Sequence, residues 1–290
     1  MSPRSKKTFH KRIYKKWLSL HKRKQEELLT KHKAALKHIA DNSKQYAIGA
    51  VGGLMLLTAP PNLQIESGQI EKHYEKFHRH LYLVADLEPL LPENFRDLTS
   101  DEKNSIAKKL SDFYKLDIEY EIDSKTLNKV YGYIGAEQHL MRFPGDTEAT
   151  HFQTSEEAEK FMSSGLAPGR GAWGYFANSK DSLTQKDIDR EKYYIAVQTF
   201  LAPEYNSRVA EYRDFFKYRK MLVVNPHNGK AVVVVIGDAG PAQWTGKHLG
   251  GSPEVMRHLE RFDGSIRGPV LYFFIDDPED KVPLGPIETN

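Results

Sequence analysis

Asp238 is the first side chain in this sequence whose type and place suit chemistry. It follows AVVVVI (231–236) and Gly237, so it stands at the end of a buried strand. Partial desolvation there raises the pKa of a carboxyl and suits it to donate a proton. The same residue in Gly237-Asp-Ala-Gly-Pro241 also suits a turn, its carboxylate accepting backbone N–H groups. A second group lies in GAEQHLMRFPGDTEATH, which holds Glu137, His139, Asp146, Glu148 and His151. These are metal-ligand types, but their spacing matches neither H-E-x-x-H nor another zinc signature. A turn rich in polar residues accounts for them better, and the sequence is read with no metal and no cofactor.

Some chemistry is excluded outright. The chain has no cysteine, so disulfides, Cys-ligated zinc or iron–sulfur sites and thiol nucleophiles are absent. GDAGP echoes the GDSGGP of chymotrypsin-like proteases, but Ala239 stands where the nucleophilic serine would be. PGRGAWG lacks the Lys-Ser/Thr of a phosphate loop.

The elements that must position these residues are unevenly charged. The 290 residues carry a net charge of only +3. Residues 1–45 hold fourteen Lys and Arg against Glu26, Glu27 and Asp41, a net of +11; the remainder is at −8. Between them, Gln45 to Ile65 has no charge, and its apolar heart is YAIGAVGGLMLLTA (46–59). Fourteen helical residues span about 21 Å, short of a ~30 Å hydrocarbon core, and Pro60-Pro61 stop the helix. The segment therefore reads as a signal-anchor, a cleaved signal or a buried helix. The charge asymmetry favours the membrane, with a cytoplasmic N-terminus and an extracytoplasmic body.

In the head, Phe9, Ile13, Trp17, Leu20, Leu28, Ala35 and Ile39 follow helical spacing among cations, which suits either anionic lipid or a solvated helix. No motif supports a nucleic-acid partner. The chain thus divides into a basic amphipathic head (1–45), a hydrophobic anchor or signal segment (46–65), a helical and mixed middle (66–164) and a C-terminal β domain with a short acidic, Pro-rich tail (165–290).

Residues 66–115 read as helical, with a Pro-punctuated turn at 87–93 and a second helix starting at the capping box Thr99-Ser-Asp-Glu. LDIEYEI (116–122) alternates as a strand, and 131–135 with 139–143 suggest a hairpin. Thr154 caps another helix. Further strands are expected at 193–200, 219–224, 231–236 and 269–275, with a two-residue hairpin signal at Asn228-Gly229. The arms MLVV and AVVVVI are apolar on both faces, as in a closed barrel. Ser252-Pro253-Glu254 opens a short helix.

This order resembles the double-psi β-barrel of the rare lipoprotein A family, the septal lytic transglycosylases, with expansins as wider relatives. GAWGYFA (171–177) resembles the family's opening small-x-W-Y-G strand. LVVNPHNGKAVVVVIGDAGPA (222–242) resembles its V-T-N-x-x-N-G-R-x-V-x-V-R-V-N-D-R-G-P core, and SPEVMRHLE (252–260) its L-S-x-x-A-x-x-x-L helix. The similarity spans roughly residues 165–276, under half the chain. The fold class expected is α+β overall, with a C-terminal all-β double-psi barrel behind membrane-associated N-terminal helices.

The resemblance implies a membrane-anchored extracytoplasmic protein that cleaves peptidoglycan, Asp238 being the general acid/base. One carboxylate suffices where ordinary glycosidases use two, because the muramyl 6-hydroxyl attacks the anomeric carbon. Trp173, Tyr175 and Trp244 then become candidate sugar platforms, and His248 a substrate-binding group. Trp173 serves equally as a core residue. The family's G-E-x-F-D and T-A-A-H strings are absent, and Ala239 replaces the Arg of N-D-R-G-P. A non-catalytic, expansin-like glycan-binding or wall-remodelling module, or a membrane-tethered interaction scaffold, is the alternative.

Overall fold

The computed structural model describes residues 79–80, 82–261 and 268–287. The expected head (1–45) and apolar segment (46–65) lie outside the described residues. Among the described residues, no helix is long and apolar enough to cross a membrane.

A helical stretch over 82–87 runs into the 3-10 turn Glu88–Leu90. Helix α1 (Ser100–Tyr114) begins at the expected capping box: Thr99 Oγ1 accepts from Glu102 N (3.3 Å), and the Glu102 carboxylate accepts from Thr99 N (2.8 Å). Short strands follow: β1 (Ile118–Glu119), β2 (Glu121–Ile122) and β3 (Lys125–Thr126). The alternating run 116–122 is thus split at Tyr120: β1 pairs with a barrel strand, while Asp123 and Ser124, at positive φ, fold β2 back onto β3. Strand β4 (Tyr131–Ala136) comes next. After it lie α2 (Glu148–His151), α3 (Ser155–Phe161, capped by Thr154) and α4 (Gln185–Lys192). The remainder is β5 (Tyr194–Val197), α5 (Val209–Phe216), β6 (Lys220–Val224), β7 (Ala231–Ala239), β8 (Leu249–Gly251), α6 (Pro253–His258), β9 (Pro269–Ile275) and β10 (Gly285–Ile287).

Strands β9, β4, β8, β5, β7 and β6 pair in that order, and β6 returns to β9. They close a six-stranded mixed barrel, and the protein is α+β. The pairs β4–β8 and β5–β7 are parallel and the other barrel pairs antiparallel. Exchanging β4, β5 and β6 with β7, β8 and β9 reproduces every pairing and its sense. This internal two-fold is compatible with a double-psi barrel.

Four expectations are corrected. The first barrel strand is β4, so the barrel starts well before residue 165. GAWGYFA forms no strand: Gly171 and Gly174 close a tight turn on each other, and glycine-rich backbone holds a ladder poorly. Segments 131–135 and 139–143 form no hairpin. The partners of β4 are β8 and β9, while His139 makes only an isolated bridge to Leu166. Finally, the β6–β7 turn has four residues between Asn225 and Lys230. The Asn225 and Asn228 side chains accept from the backbone of residues 227 and 230, and Gly229 supplies φ +70.

Two cores explain why β6, β7 and β9 are apolar on both faces. Met221, Val223, Val232, Val234, Ile236, Val270, Tyr272 and Phe274 fill the barrel. The alternate residues Leu222, Val224, Val233, Leu271, Phe273 and Ile275 face outward. Ile106, Leu110 and Tyr114 of α1, with Leu83 and Leu87, cover them. The two-sided pattern thus reports a helical layer over the barrel as well as the barrel itself. Leu110→Ala and Phe273→Ala should each cost about 2–5 kcal/mol in equilibrium denaturation. Losses below about 1 kcal/mol would mean that α1 leaves this face uncovered.

Candidate functional site

The register of β5 on β7 shifts between Ile195 and Ala196, which face Ile236 and Asp238. Gly237 occupies the shift, where a Cβ would meet Tyr194 Cβ at 2.5 Å. This irregularity brings Asp238 to the mouth of the barrel, half-buried. Its Oδ1 accepts from Ala172 N at 2.7 Å and from its neighbour Ala239 N at 2.9 Å. Trp173 docks beside it, its indole Nε1 donating to Ile236 O at 3.0 Å while its ring packs against the barrel core. Arg213 of α5 donates to Ala172 O (3.2 Å) and lies 5.8 Å from the Trp173 ring.

Asp238 and Trp173, distant in sequence, therefore share one end of the barrel. Tyr175 follows, half-buried, on the same loop. Trp244 is 89 % exposed, in the 3-10 turn Gln243–Thr245. His248 has a different neighbourhood. Its Nδ1 accepts from Tyr133 N at 2.9 Å, and its ring stacks with Tyr133 and Phe95. Burial, aided by Lys129, holds its pKa below the ordinary value. Gln198, at the exit of β5, donates to Pro241 O (3.0 Å) and Lys247 O (3.3 Å) and so fixes the loop after Asp238. Clefts lined by Arg190, Tyr218, Lys220 and Asp280, and by Glu137, Pro253, Met256 and Arg257, do not include Asp238.

A denser set of titratable groups lies in the protein interior between β4 and β5. Glu191 of α4 is fully buried. Its Oε1 accepts from Leu140 N and from His139 Nδ1, both at 3.1 Å. Its Oε2 accepts from Arg142 Nε (3.0 Å) and Nη2 (2.8 Å) and lies 3.2 Å from His151 Nε2. His151 Nδ1 donates to Asp146 Oδ2 at 2.7 Å, and Arg142 Nη1 donates to His151 O at 2.6 Å.

Burial alone would raise the pKa of Glu191, but the two histidines and Arg142 hold it well below the carboxylate range. Burial likewise opposes charge on His151, yet the Asp146 and Glu191 carboxylates outweigh it and raise its pKa. Glu254 of α6 stands at the edge of this group, its Oε2 3.9 Å from His139 Nδ1. Burial pushes its pKa up to about 7.

Of the metal-ligand types flagged in the sequence, His139, Asp146 and His151 converge here. Glu137 instead pairs with Lys247 (2.8 Å), and Glu148 is exposed. Sequence reasoning missed Glu191, Arg142 and Glu254. Glu191 sits in QKDIDREK, which reads as a solvated polar helix, and Glu254 reads as a first-turn helix charge. One donor atom from each of His139, His151 and Glu191 lies within 4.8 Å of the other two.

Arg142→Met should leave the Glu191 charge under-compensated and lower stability by about 3–5 kcal/mol in denaturant titration. A change indistinguishable from wild type would mean that the guanidinium does not carry the network. No family model, curated protein or solved structure matches this chain.

Proposed function

We propose that this is a membrane-anchored, extracytoplasmic protein whose barrel, of the double-psi kind, binds cell-wall glycan at the end where β7 leaves the barrel. The two-fold strand pairing supports the barrel type. The +11 and −8 charges on either side of an uncharged span support the orientation. One observation carries binding over cleavage: Asp238 Oδ1 already accepts two backbone N–H groups, and Trp173 and Arg213 stand beside it. A carboxylate spent on holding a loop supplies shape and charge rather than a mobile proton. Aromatic faces pack on the apolar faces of pyranose rings; the exposed Trp244 offers such a face, and Trp173, half-buried against the barrel core, adds its remaining exposed surface. Gln198, on the neighbouring strand exit, has no titratable proton to add.

A second reading rests on the other oxygen. No described residue donates a hydrogen bond to Asp238 Oδ2, so that atom can carry a proton to a glycosidic oxygen while a muramyl 6-hydroxyl attacks the anomeric carbon. That is the lytic-transglycosylase route.

Co-sedimentation of the purified full chain with peptidoglycan sacculi, followed by analysis of soluble products, separates the readings. Binding predicts that the chain pellets with sacculi and that Trp173→Ala and Trp244→Ala each weaken this about tenfold. Asp238→Asn keeps the acceptor oxygen and should bind like wild type, with no anhydro-muropeptide released by either. Anhydro-muropeptides from wild type but not from Asp238→Asn would put cleavage in its place. Failure to pellet without product would sink both.

A further inference from the structure

We propose that His139, His151, Glu191 and Glu254 form a closed site for one divalent transition-metal cation of the zinc class, which braces residues 137–193 against the barrel. The donor set is two imidazoles and two carboxylates, which suits zinc and its first-row neighbours. Four donors held about 2.0–2.2 Å from a tetrahedral zinc stand about 3.3 Å apart. His139 Nδ1 lies 3.1 Å from Glu191 Oε1, and His151 Nε2 lies 3.2 Å from Glu191 Oε2. Both histidines thus face the Glu191 carboxylate: His139 Nδ1 at Oε1, and His151 Nε2, which takes part in no hydrogen bond with any described residue, beside Oε2, with one donor atom of each of the three residues within 4.8 Å of the others. Arg142 stays on Glu191 Oε2, which leaves Oε1 as the coordinating oxygen.

Three further features point to a cation. The first is Glu254, only 9 % exposed, whose two oxygens are buried and take no hydrogen bond from any other described residue. An unpaired buried carboxylate is costly, and this one lies 3.9 Å from His139 Nδ1. The second is the outer support of His151. Its Nδ1 donates to Asp146, which is itself held by Arg142 N (3.0 Å) and Thr150 Oγ1 (3.2 Å). That carboxylate–imidazole arrangement aims Nε2 inward, as it does for metal-bound histidines. The third is charge. A metal needs both imidazoles deprotonated at their ligating nitrogens, and once they are, the carboxylates of Asp146, Glu191 and Glu254 outnumber the one guanidinium that contacts them, Arg142, which a divalent cation offsets. Phe152 packs edge-on against both imidazoles, at 5.4 Å from His139 and 5.2 Å from His151, and keeps the site dry. All four donors are buried, which describes a structural site rather than one with an open position for substrate.

The test uses the full chain, stripped with chelator and titrated with Zn²⁺, and in parallel with Co²⁺. One equivalent of zinc should bind. At a hundredfold excess over Kd the melting temperature should rise by about 5–10 °C. The cobalt form should show the visible absorption of a four-coordinate ion, and zinc-edge X-ray absorption should find two imidazoles with oxygen donors. Glu254→Gln should fold as wild type and bind zinc at least tenfold more weakly. His151→Gln should abolish the cobalt spectrum. No stoichiometric zinc, fewer than two imidazoles around it, or wild-type affinity in Glu254→Gln would overturn the site. If His151→Gln does not fold, the wild-type absorption data decide.

Discussion

A carboxylate removed entirely from water must be compensated on the spot, and Glu191 is that carboxylate here. Its partners come from two stretches near the start of the connection. His139, Leu140 and Arg142 lie just beyond β4, and His151 ends α2. Satisfying one side chain therefore pins the start of the excursion from 137 to 193, residues 139 to 151, onto α4. Glu191 also lies three residues before β5. Fixing it fixes where β5 enters the barrel, between β7 and β8. The barrel closes only if that strand arrives in register, so an electrostatic requirement in the interior governs a hydrogen-bond ladder next to it.

The second organising constraint is two-sided burial. Period-2 alternation in β6, β7 and β9 sends one set of side chains into the barrel and the other beneath α1. Lys220, at the start of β6, is the exception that fits the rule. It is buried but ion-paired with Asp277 at 2.6 Å. Neither layer is dispensable, since a small barrel interior alone buries little apolar surface, and α1 without the strands would present an unpaired apolar stripe to water.

Local signals carried much of this into the sequence. The Thr99 and Ser252 caps, the strand at 269–275 and the doubly apolar arms of the β6–β7 hairpin all stand where residue chemistry places them. What failed was non-local. Nothing local distinguishes YGYIGA, a true barrel strand, from GAWGYFA, a glycine-closed turn. The first is a strand because β8 and β9 flank it, and the second is tied down by Trp173 Nε1 and by Asp238. Glu191 was invisible for the same reason. In a helix rich in Asp, Arg and Lys a buried glutamate looks like its exposed neighbours, and only the fold brings His139, Arg142 and His151 to it. Of the five metal-ligand types flagged by composition, the three that converge do so through tertiary placement.

The barrel's two-fold lets its two polar ends be compared directly. The registers make Asp238 equivalent to Gly135 and Ala239 equivalent to Ala136. At the β7 end the carboxylate sits on the strand itself and spends an oxygen on two backbone N–H groups. At the β4 end the strand carries only small residues, and the charged groups lie beyond it, packed between α4 and α6. Position at the end of a valine-rich strand draws attention to Asp238, but chemical capacity lies in lone pairs that the fold leaves unused. By that measure the richer end is the one after β4, where both oxygens of Glu254 remain without a donor from another described residue. Burial raises the pKa of that carboxyl to about 7, because nothing nearby stabilises its charge enough to offset the lost water. A fold that satisfies Glu191 several times over and leaves Glu254 bare, 3.9 Å from a shared histidine, holds a polarised pair whose deficit is positive charge.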